Sequence, residues 1–438
     1  MSILPKPTWN APPNQLPEGL EVWLDDPAFG SLAHLGRLHR VGRESVRFEY
    51  SPVWLKNPAA FALDPELSLA GGHFHPKDSN FGIFLDSCPD RWGQTLMKRR
   101  EVVEAKQQAR ARRELRPWDF FLGVQDATRM GALRFSALQS ERQLNKGQPP
   151  SFIDGSCLAN EVLSAPALTR IGELQAVALE LTRKKVEDLD LLQQWLRVLV
   201  APGASLGGAR PKANLQDKQG HLWIAKFPGA DDDHDWALRE MLLHQLADEF
   251  KLNVAPARLE KVGSGYYTFI TRRFDRENGR RRFFTSAMAA LGRSDSDESS
   301  YLDLAEFIAN KSGVEDKLAE DLRELFRRVL FNVSVANRDD HLRNHGFIRE
   351  PNGWRLAPAY DMNPSTKKDS HILALDDAST EPDLDTVLST AELYRVTPAQ
   401  AQEDLGQLQK VLGTWRQKAK RLGLTAEDLA ELEPCFQT

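Results

Sequence analysis

Cysteine is scarce in this chain: Cys88, Cys157 and Cys435 are the three it has in 438 residues. At such wide spacing they make neither a disulfide framework nor a metal knuckle, and a reducing cytoplasm is the compartment expected. Long apolar runs are missing too. Stretches such as Leu196–Ala201 fall far short of the ~20 residues needed to span a bilayer, so no membrane association is expected. The N-terminus, Met1-Ser-Ile-Leu-Pro-Lys-Pro7, has no apolar signal core, which argues against secretion. Nor is there an excess of positive charge. Lys plus Arg is 57 against 62 for Asp plus Glu, a net charge of -5, which argues against a general nucleic-acid coat protein. No internal repeat is present. What remains, 41% hydrophobic and 27% charged residues, is the balance of a globular protein, and the length suits about two or three structural units.

The first twenty residues carry five prolines and read as an extended arm. Strand signals follow between Glu21 and Leu55, notably the alternating Ser45–Tyr50. Gln94 to Leu115 reads as a basic helix, with eight Lys or Arg against three Glu in 98–116. A solvated helix face is the reading favoured there over a nucleic-acid contact. Gly147-Gln-Pro-Pro150 marks a linker. Thr169–Thr182 and Leu189–Val200 have helical spacing. Lys212–Gln216 and His221–Pro228 form a hairpin, Asp235–Phe250 a helix, and Arg258–Val262 with Tyr266–Phe274 a second hairpin. Beyond Arg276 the chain is mostly helical, with a polar turn at Glu277–Arg282, a long helix over Glu315–Val335 and a hairpin of Gly346–Arg349 and Trp354–Ala357.

Four local signals carry chemistry. The glycine-rich Ser205-Leu-Gly-Gly-Ala-Arg-Pro-Lys-Ala213 lets the backbone approach an anion closely, although it is not a Walker A sequence. Lys226 lies mid-strand among apolar neighbours, where an ammonium needs solvent or an anionic partner. A strand lysine reaching nucleotide phosphates, steadied by Glu240 of the next helix, is the functional reading. In Asn337-Arg-Asp-Asp-His-Leu-Arg-Asn344, Asp339 and Asn344 have the spacing of the kinase catalytic loop. An aspartate there orients the incoming hydroxyl, and the asparagine carbonyl holds Mg²⁺ on the phosphates. Asp361, in Ala359-Tyr-Asp-Met-Asn-Pro364, is placed as the second oxygen ligand. Each signal alone has a bland reading as a turn, an edge-strand lysine or a solvated loop. Their order along the chain favours a phosphotransferase. The histidine pairs His341/His345 and His73/His75 are weaker metal candidates, and no base glutamate accompanies the first.

At these motifs the sequence resembles the HipA family of serine/threonine kinases, the toxin half of bacterial HipBA toxin–antitoxin pairs. The likeness rests on the glycine loop, Ala225-Lys-Phe-Pro228, Arg273-Phe-Asp-Arg276, Asn337–Phe347 and Pro358–Ser365. Phe48–Leu55, Phe61-Ala-Leu63 and Phe84–Gly93 resemble the family's accessory subdomain. The resemblance implies Asp339 as catalytic aspartate, with Asn344 and Asp361 holding magnesium and Lys226 on the α/β-phosphates of ATP. It implies Gly207, Gly208, Ala209, Arg210, Pro211 and Lys212 over the phosphates, and His341 and Tyr360 lining the nucleotide pocket. Arg272, Arg273 and Phe274 would form the adenine-facing hinge, and Ser205 would be the autophosphorylated serine. A protein substrate such as glutamyl-tRNA synthetase is implied, as is a small helix-turn-helix, HipB-like antitoxin through which DNA is contacted only indirectly.

The expected architecture is α+β: a bilobal protein-kinase-like fold, with a β-containing N-lobe, an accessory N-terminal subdomain and a mostly helical C-lobe. The expected segments are an arm (1–20), the accessory subdomain (21–146), the N-lobe core (147–275) and the C-lobe (276–438). A catalytically inactive co-repressor that joins antitoxin and DNA, and a small-molecule phosphotransferase, are the alternative functions.

Overall fold

The computed structural model describes residues 16–140, 144, 150, 152, 167–182, 210–263 and 265–436. The described residues divide into two compact units, one running to Ile224 with Asp275–Phe283 added, the other made of Ala225–Phe274 and Phe284 onward.

The first unit is built on an antiparallel sheet of four strands, β1 (Gly19–Leu24), β2 (Ala33–Val41), β3 (Ser45–Tyr50) and β4 (Leu133–Ala137), in the order β3-β2-β1-β4. As a central strand β1 is buried at every position. Even Glu21 is enclosed, and it is compensated by His34 Nε2 at 2.6 Å, Arg37 Nε at 3.1 Å and the Gln139 amide at 3.0 Å. Phe48, Phe84, Phe121 and Phe135 pack edge-on or tilted to form the core beneath.

The basic helix α1 runs over Arg91–Gln107, shorter than the sequence pattern suggests. Asp90 caps its N-terminus by accepting from the Gly93 amide, and the chain leaves the helix at Ala109, whose φ is +50°. Part of the positive charge of the basic segment 98–116 is compensated by its own glutamates. Glu101 takes Arg110 at 2.5 Å and the Arg113 amide at 2.8 Å, and Glu104 takes Arg100 at 2.6 Å. Helix α2 (Ile171–Thr182) follows, then β5 (Lys212–Gln216) and, after the turn at Asp217–Gly220, β6 (Leu222–Lys226), whose last two residues, Ala225 and Lys226, already belong to the second unit.

The first helix of the second unit is α3 (Trp236–Glu249), capped by Asp235, which accepts from the Leu238 amide. Strands β7 (Ala257–Glu260) and β8 (Thr268–Arg272) pair antiparallel. A short strand, β9 (Phe284–Ser286), which periodicity did not disclose, joins the expected hairpin of β10 (Gly346–Glu350) and β11 (Gly353–Leu356) in the order β9-β10-β11. Gly346 makes that pairing possible: a Cβ there would lie 2.3 Å from the Phe284 ring. Helices α4 (Tyr301–Lys311) and α5 (Glu315–Ser334) pack behind this sheet. Leu325, Phe326, Val329, Leu330 and Phe331 are fully buried in the core. Helices α6 (Pro398–Leu412), α7 (Trp415–Leu422) and α8 (Ala426–Leu432) complete the unit. Among the described residues no helix is long and apolar enough to cross a membrane.

Candidate active site

Helix α5 ends abruptly because Ala336 takes a left-handed conformation, φ +53°, a costly one for a residue with a Cβ. The chain turns out of the helix there, and the segment Asn337–Asn344 forms a loop over its C-terminal end. The two adjacent aspartates of that loop have opposite fates. Asp339 is exposed. Asp340 is buried, and its Oδ2 accepts from Tyr301 Oη at 2.6 Å, His345 Nε2 at 2.7 Å and Asn332 Nδ2 at 2.8 Å. Burial alone would raise its carboxyl, but His345 and these hydrogen bonds hold it below the usual range, so it stays ionised. The same bond pushes the Tyr301 phenol far up, after burial itself. Asp340 is thus the buried anchor that fixes the loop presenting Asp339. The sequence signal was the doubled aspartate, which does not say which of the two turns inward.

Asn337 ties this loop to the one carrying Asp361. Its Nδ2 donates to Asn332 Oδ1 at 3.0 Å, while its Oδ1 accepts from the Asn363 amide at 3.1 Å. Tyr360 closes the same junction, its hydroxyl donating to the Arg343 carbonyl at 2.7 Å. Asp361 itself has φ +61°, a strained conformation of the kind that persists only where the surroundings enforce it.

Lys226, at the end of β6, places its ammonium 2.6 Å from Glu240 Oε1 on α3 and 2.5 Å from Asp361 Oδ1. Burial would lower its pKa; Asp361 and Glu240 outweigh that and raise it, so the ammonium is permanently charged. The strand lysine, the helix glutamate and Asp361 therefore meet within one unit. Asn344 lies at the same loop's end. Its Nδ2 donates to the Asp339 carbonyl at 3.4 Å, and its Oδ1 is buried with no hydrogen-bond partner. A buried carbonyl oxygen left this way suits a hard cation. Among the described residues no three His, Cys, Asp or Glu side chains gather as metal ligands, so phosphate and water would complete the shell of an ion held by Asn344 and Asp361.

His341 precedes the short turn Leu342–Asn344 without capping it through its side chain, and its Nδ1 is buried and unpartnered. Phe274 packs 5.4 Å from the Tyr360 ring and 5.6 Å from Phe284, the Arg272 amide donates to Pro256, and Arg273 is buried. In the first unit, Arg210 and Pro211 lead into β5. There Lys212 is buried, with its ammonium 3.0 Å from Asp90 Oδ2 and its carbonyl receiving Trp92 Nε1 at 3.1 Å. A buried ammonium requires such a carboxylate, and this gives Asp90 and Trp92 of the Phe84–Gly93 motif a role the sequence did not reveal. Ser205, Gly207, Gly208 and Ala209 lie outside the described residues. Of the histidine pairs, His345 is held by Asp340 and His73 lies 3.3 Å from Glu49.

Comparison with known proteins fits this geometry. The chain superposes on a chain of the solved complex of Shewanella oneidensis MR-1 HipA and HipB with operator DNA. The TM-score is 0.59 at 16% identity, covering 95% of this chain and 94% of that one. The fold is accordingly the kinase-like α+β fold expected from the sequence. A Haemophilus influenzae protein named "Putative kinase" is 27% identical over 183 residues, 36% of this chain and 52% of that protein. The chain thus spans about half the length of the curated relative it matches. The model of the HipA-like C-terminal domain matches residues 204–427, more than half of the sequence, and the chain belongs to the HipA-like family.

Proposed function

We propose that this chain is an ATP- and magnesium-dependent serine/threonine protein kinase of HipA type. The observation that carries the reading is the position of the Lys226 ammonium between Glu240 and Asp361, with Asp339 and the unpartnered Asn344 carbonyl in the adjoining loop. In this reading Lys226 pairs with the α/β-phosphates of ATP, and Glu240 keeps its side chain extended toward them. His341, Tyr360 and Arg272–Phe274 line the nucleotide site, and by the sequence likeness alone the loop from Gly207 to Lys212 is the phosphate-covering segment, Lys212 contributing backbone only because its ammonium is engaged by Asp90. Asn344 and Asp361 hold the magnesium ion, which when bound neutralises charge on the phosphates. Asp339 orients a serine or threonine hydroxyl for in-line attack on the γ-phosphorus and accepts its proton. Catalysis comes from positioning and charge stabilisation rather than covalent chemistry.

The family and the Shewanella complex of HipA, HipB and operator DNA support the wider reading. The chain is the toxin of a toxin–antitoxin pair, bound by a small helix-turn-helix antitoxin that makes the DNA contact; by the sequence likeness alone, its target is a protein such as glutamyl-tRNA synthetase. With this reading go the arm (1–20), accessory subdomain (21–146), N-lobe (147–275) and C-lobe (276–438). Phosphate on Ser205 adds roughly -1.5 to -2 charges to the loop that cradles ATP and so switches the enzyme off. Incubating the full chain with γ-labelled ATP and Mg²⁺ tests the proposal. Label should reach a serine or threonine, and mass spectrometry should place it on Ser205. No incorporation by the wild type, in the presence or absence of a protein acceptor, would overturn it.

A further inference from the structure

The segment that leaves Asp361 returns to the catalytic loop. The Lys368 ammonium forms an ion pair with Asp339 Oδ1, and the Lys368 carbonyl accepts from Arg338 Nη1. Both the head and the backbone of Lys368 are therefore fixed on two consecutive residues of the loop. The pair is open to solvent, the side chains being 42% and 64% exposed, and so open an ion pair adds little to stability. Accessibility of that kind suits a group that meets substrate. Lys226 cannot take this part, since it is only 13% exposed and sits between Glu240 and Asp361. An ammonium has three donors; one directed at Asp339 leaves two for an incoming anion.

Phosphoryl transfer spreads negative charge over the oxygens of the group in flight, and a cation already in place beside them lowers the barrier. We infer that Lys368 is a catalytic residue of the proposed kinase reaction, its ammonium bridging Asp339 and the γ-phosphoryl group in transit. In the step, the bond from the γ-phosphorus to the β,γ-bridging oxygen breaks, and ADP keeps the electron pair. The bond from the γ-phosphorus to the substrate hydroxyl oxygen forms, and the hydroxyl proton passes to Asp339. Lys368 keeps its own protons throughout, supplying charge and orientation. The inference rests on the proposed function but assigns a residue that none of the sequence motifs contains.

The experiment is steady-state phosphoryl transfer from Mg-ATP by the full chain, with kcat and the KM for ATP resolved for the wild type, Lys368→Ala and Lys368→Arg. Lys368→Ala should lower kcat ~10²-fold and leave KM within about threefold, and Lys368→Arg should recover at least about a tenth of the lost rate. A Lys368→Ala kcat within about twofold of wild type, or a loss confined to KM, overturns the inference while the kinase reading stands. A wild type that neither binds nor consumes ATP overturns the kinase reading and the inference with it. Melting curves accompany the kinetics. A Lys368→Ala chain that unfolds early while Lys368→Arg keeps no extra rate would assign the pair to structure and sink the catalytic role.

Discussion

Lys226 and Asp361, 135 residues apart in the chain, meet at 2.5 Å. The contact joins the end of a strand to a residue held in a left-handed conformation, and it links the two ends of the proposed site through one ammonium. Glu240 shares that ammonium from α3 at 2.6 Å.

Lys226→Met should therefore have two effects. It removes the cation from two carboxylates, one of them nearly buried, and breaking a buried pair in this way costs about 3–5 kcal/mol. It also removes the phosphate contact. Thermal melts should show a lower Tm for the second unit, and ATP-dependent stabilisation should vanish. A variant that melts like the wild type and still responds to Mg-ATP would contradict both.

Asp339→Asn should behave differently, because the side chain is 64% exposed and its loss leaves nothing buried without compensation. The Tm should stay near wild type, while the rate of phosphoryl transfer falls ~10²–10⁴-fold if the carboxylate accepts the hydroxyl proton. An unchanged rate would remove Asp339 from the mechanism.

Asp340→Ala is expected to do structural damage first. It leaves the Tyr301, Asn332 and His345 donors around an empty acceptor, at about 1–3 kcal/mol for each buried group that finds no other partner. Loss of activity should accompany a marked fall in Tm, in contrast to Asp339→Asn. Equal Tm values for the two variants would show that Asp340 does not anchor the loop.

The pH dependence of stability should report on His371. It is buried with both ring nitrogens unpartnered, and burial, reinforced by Arg338 and partly opposed by Asp340, lowers its pKa to about 4. The folded chain thus resists a proton that the unfolded chain takes up near pH 6.5. Stability is full above that pH and declines as the pH falls toward 4, by roughly 3 kcal/mol at the bottom of the window. The depressed Asp340 carboxyl adds a loss in the same direction at lower pH. Melting at pH 7 and pH 4.5 should show a smaller acid-induced drop in Tm for His371→Leu than for wild type. An identical drop would assign the acid sensitivity elsewhere.

The parts of this site that were legible in the sequence are those whose chemistry is written in short-range spacing. Asp339 and Asn344 sit five apart in one loop, and Lys226, expected mid-strand and found at the strand's last position, has apolar neighbours among which an ammonium demands a partner. What spacing could not supply were the partners. Nothing local says that Asp340 rather than Asp339 turns inward, because that depends on Tyr301, Asn332 and His345 arriving from three other places. Lys212 has the right sequence context for a phosphate loop, yet its ammonium lies beside Asp90, a residue 122 positions earlier. Helix α1 stops at Gln107 although the residues to Leu115 are good helix formers, because Arg110 and Arg113 fold back onto Glu101. Strand β9 is only three residues long, too short for an alternation to register, and it is defined by the strand it joins.

The most direct test is a crystal structure of the full chain with Mg²⁺ and a non-hydrolysable ATP analogue. The account predicts an ion liganded by Asn344 Oδ1 and the Asp361 carboxylate, with the Lys226 ammonium on the α/β-phosphates and Asp339 facing the γ-phosphate. A nucleotide bound elsewhere, with Lys226, Asn344 and Asp361 untouched, would contradict it.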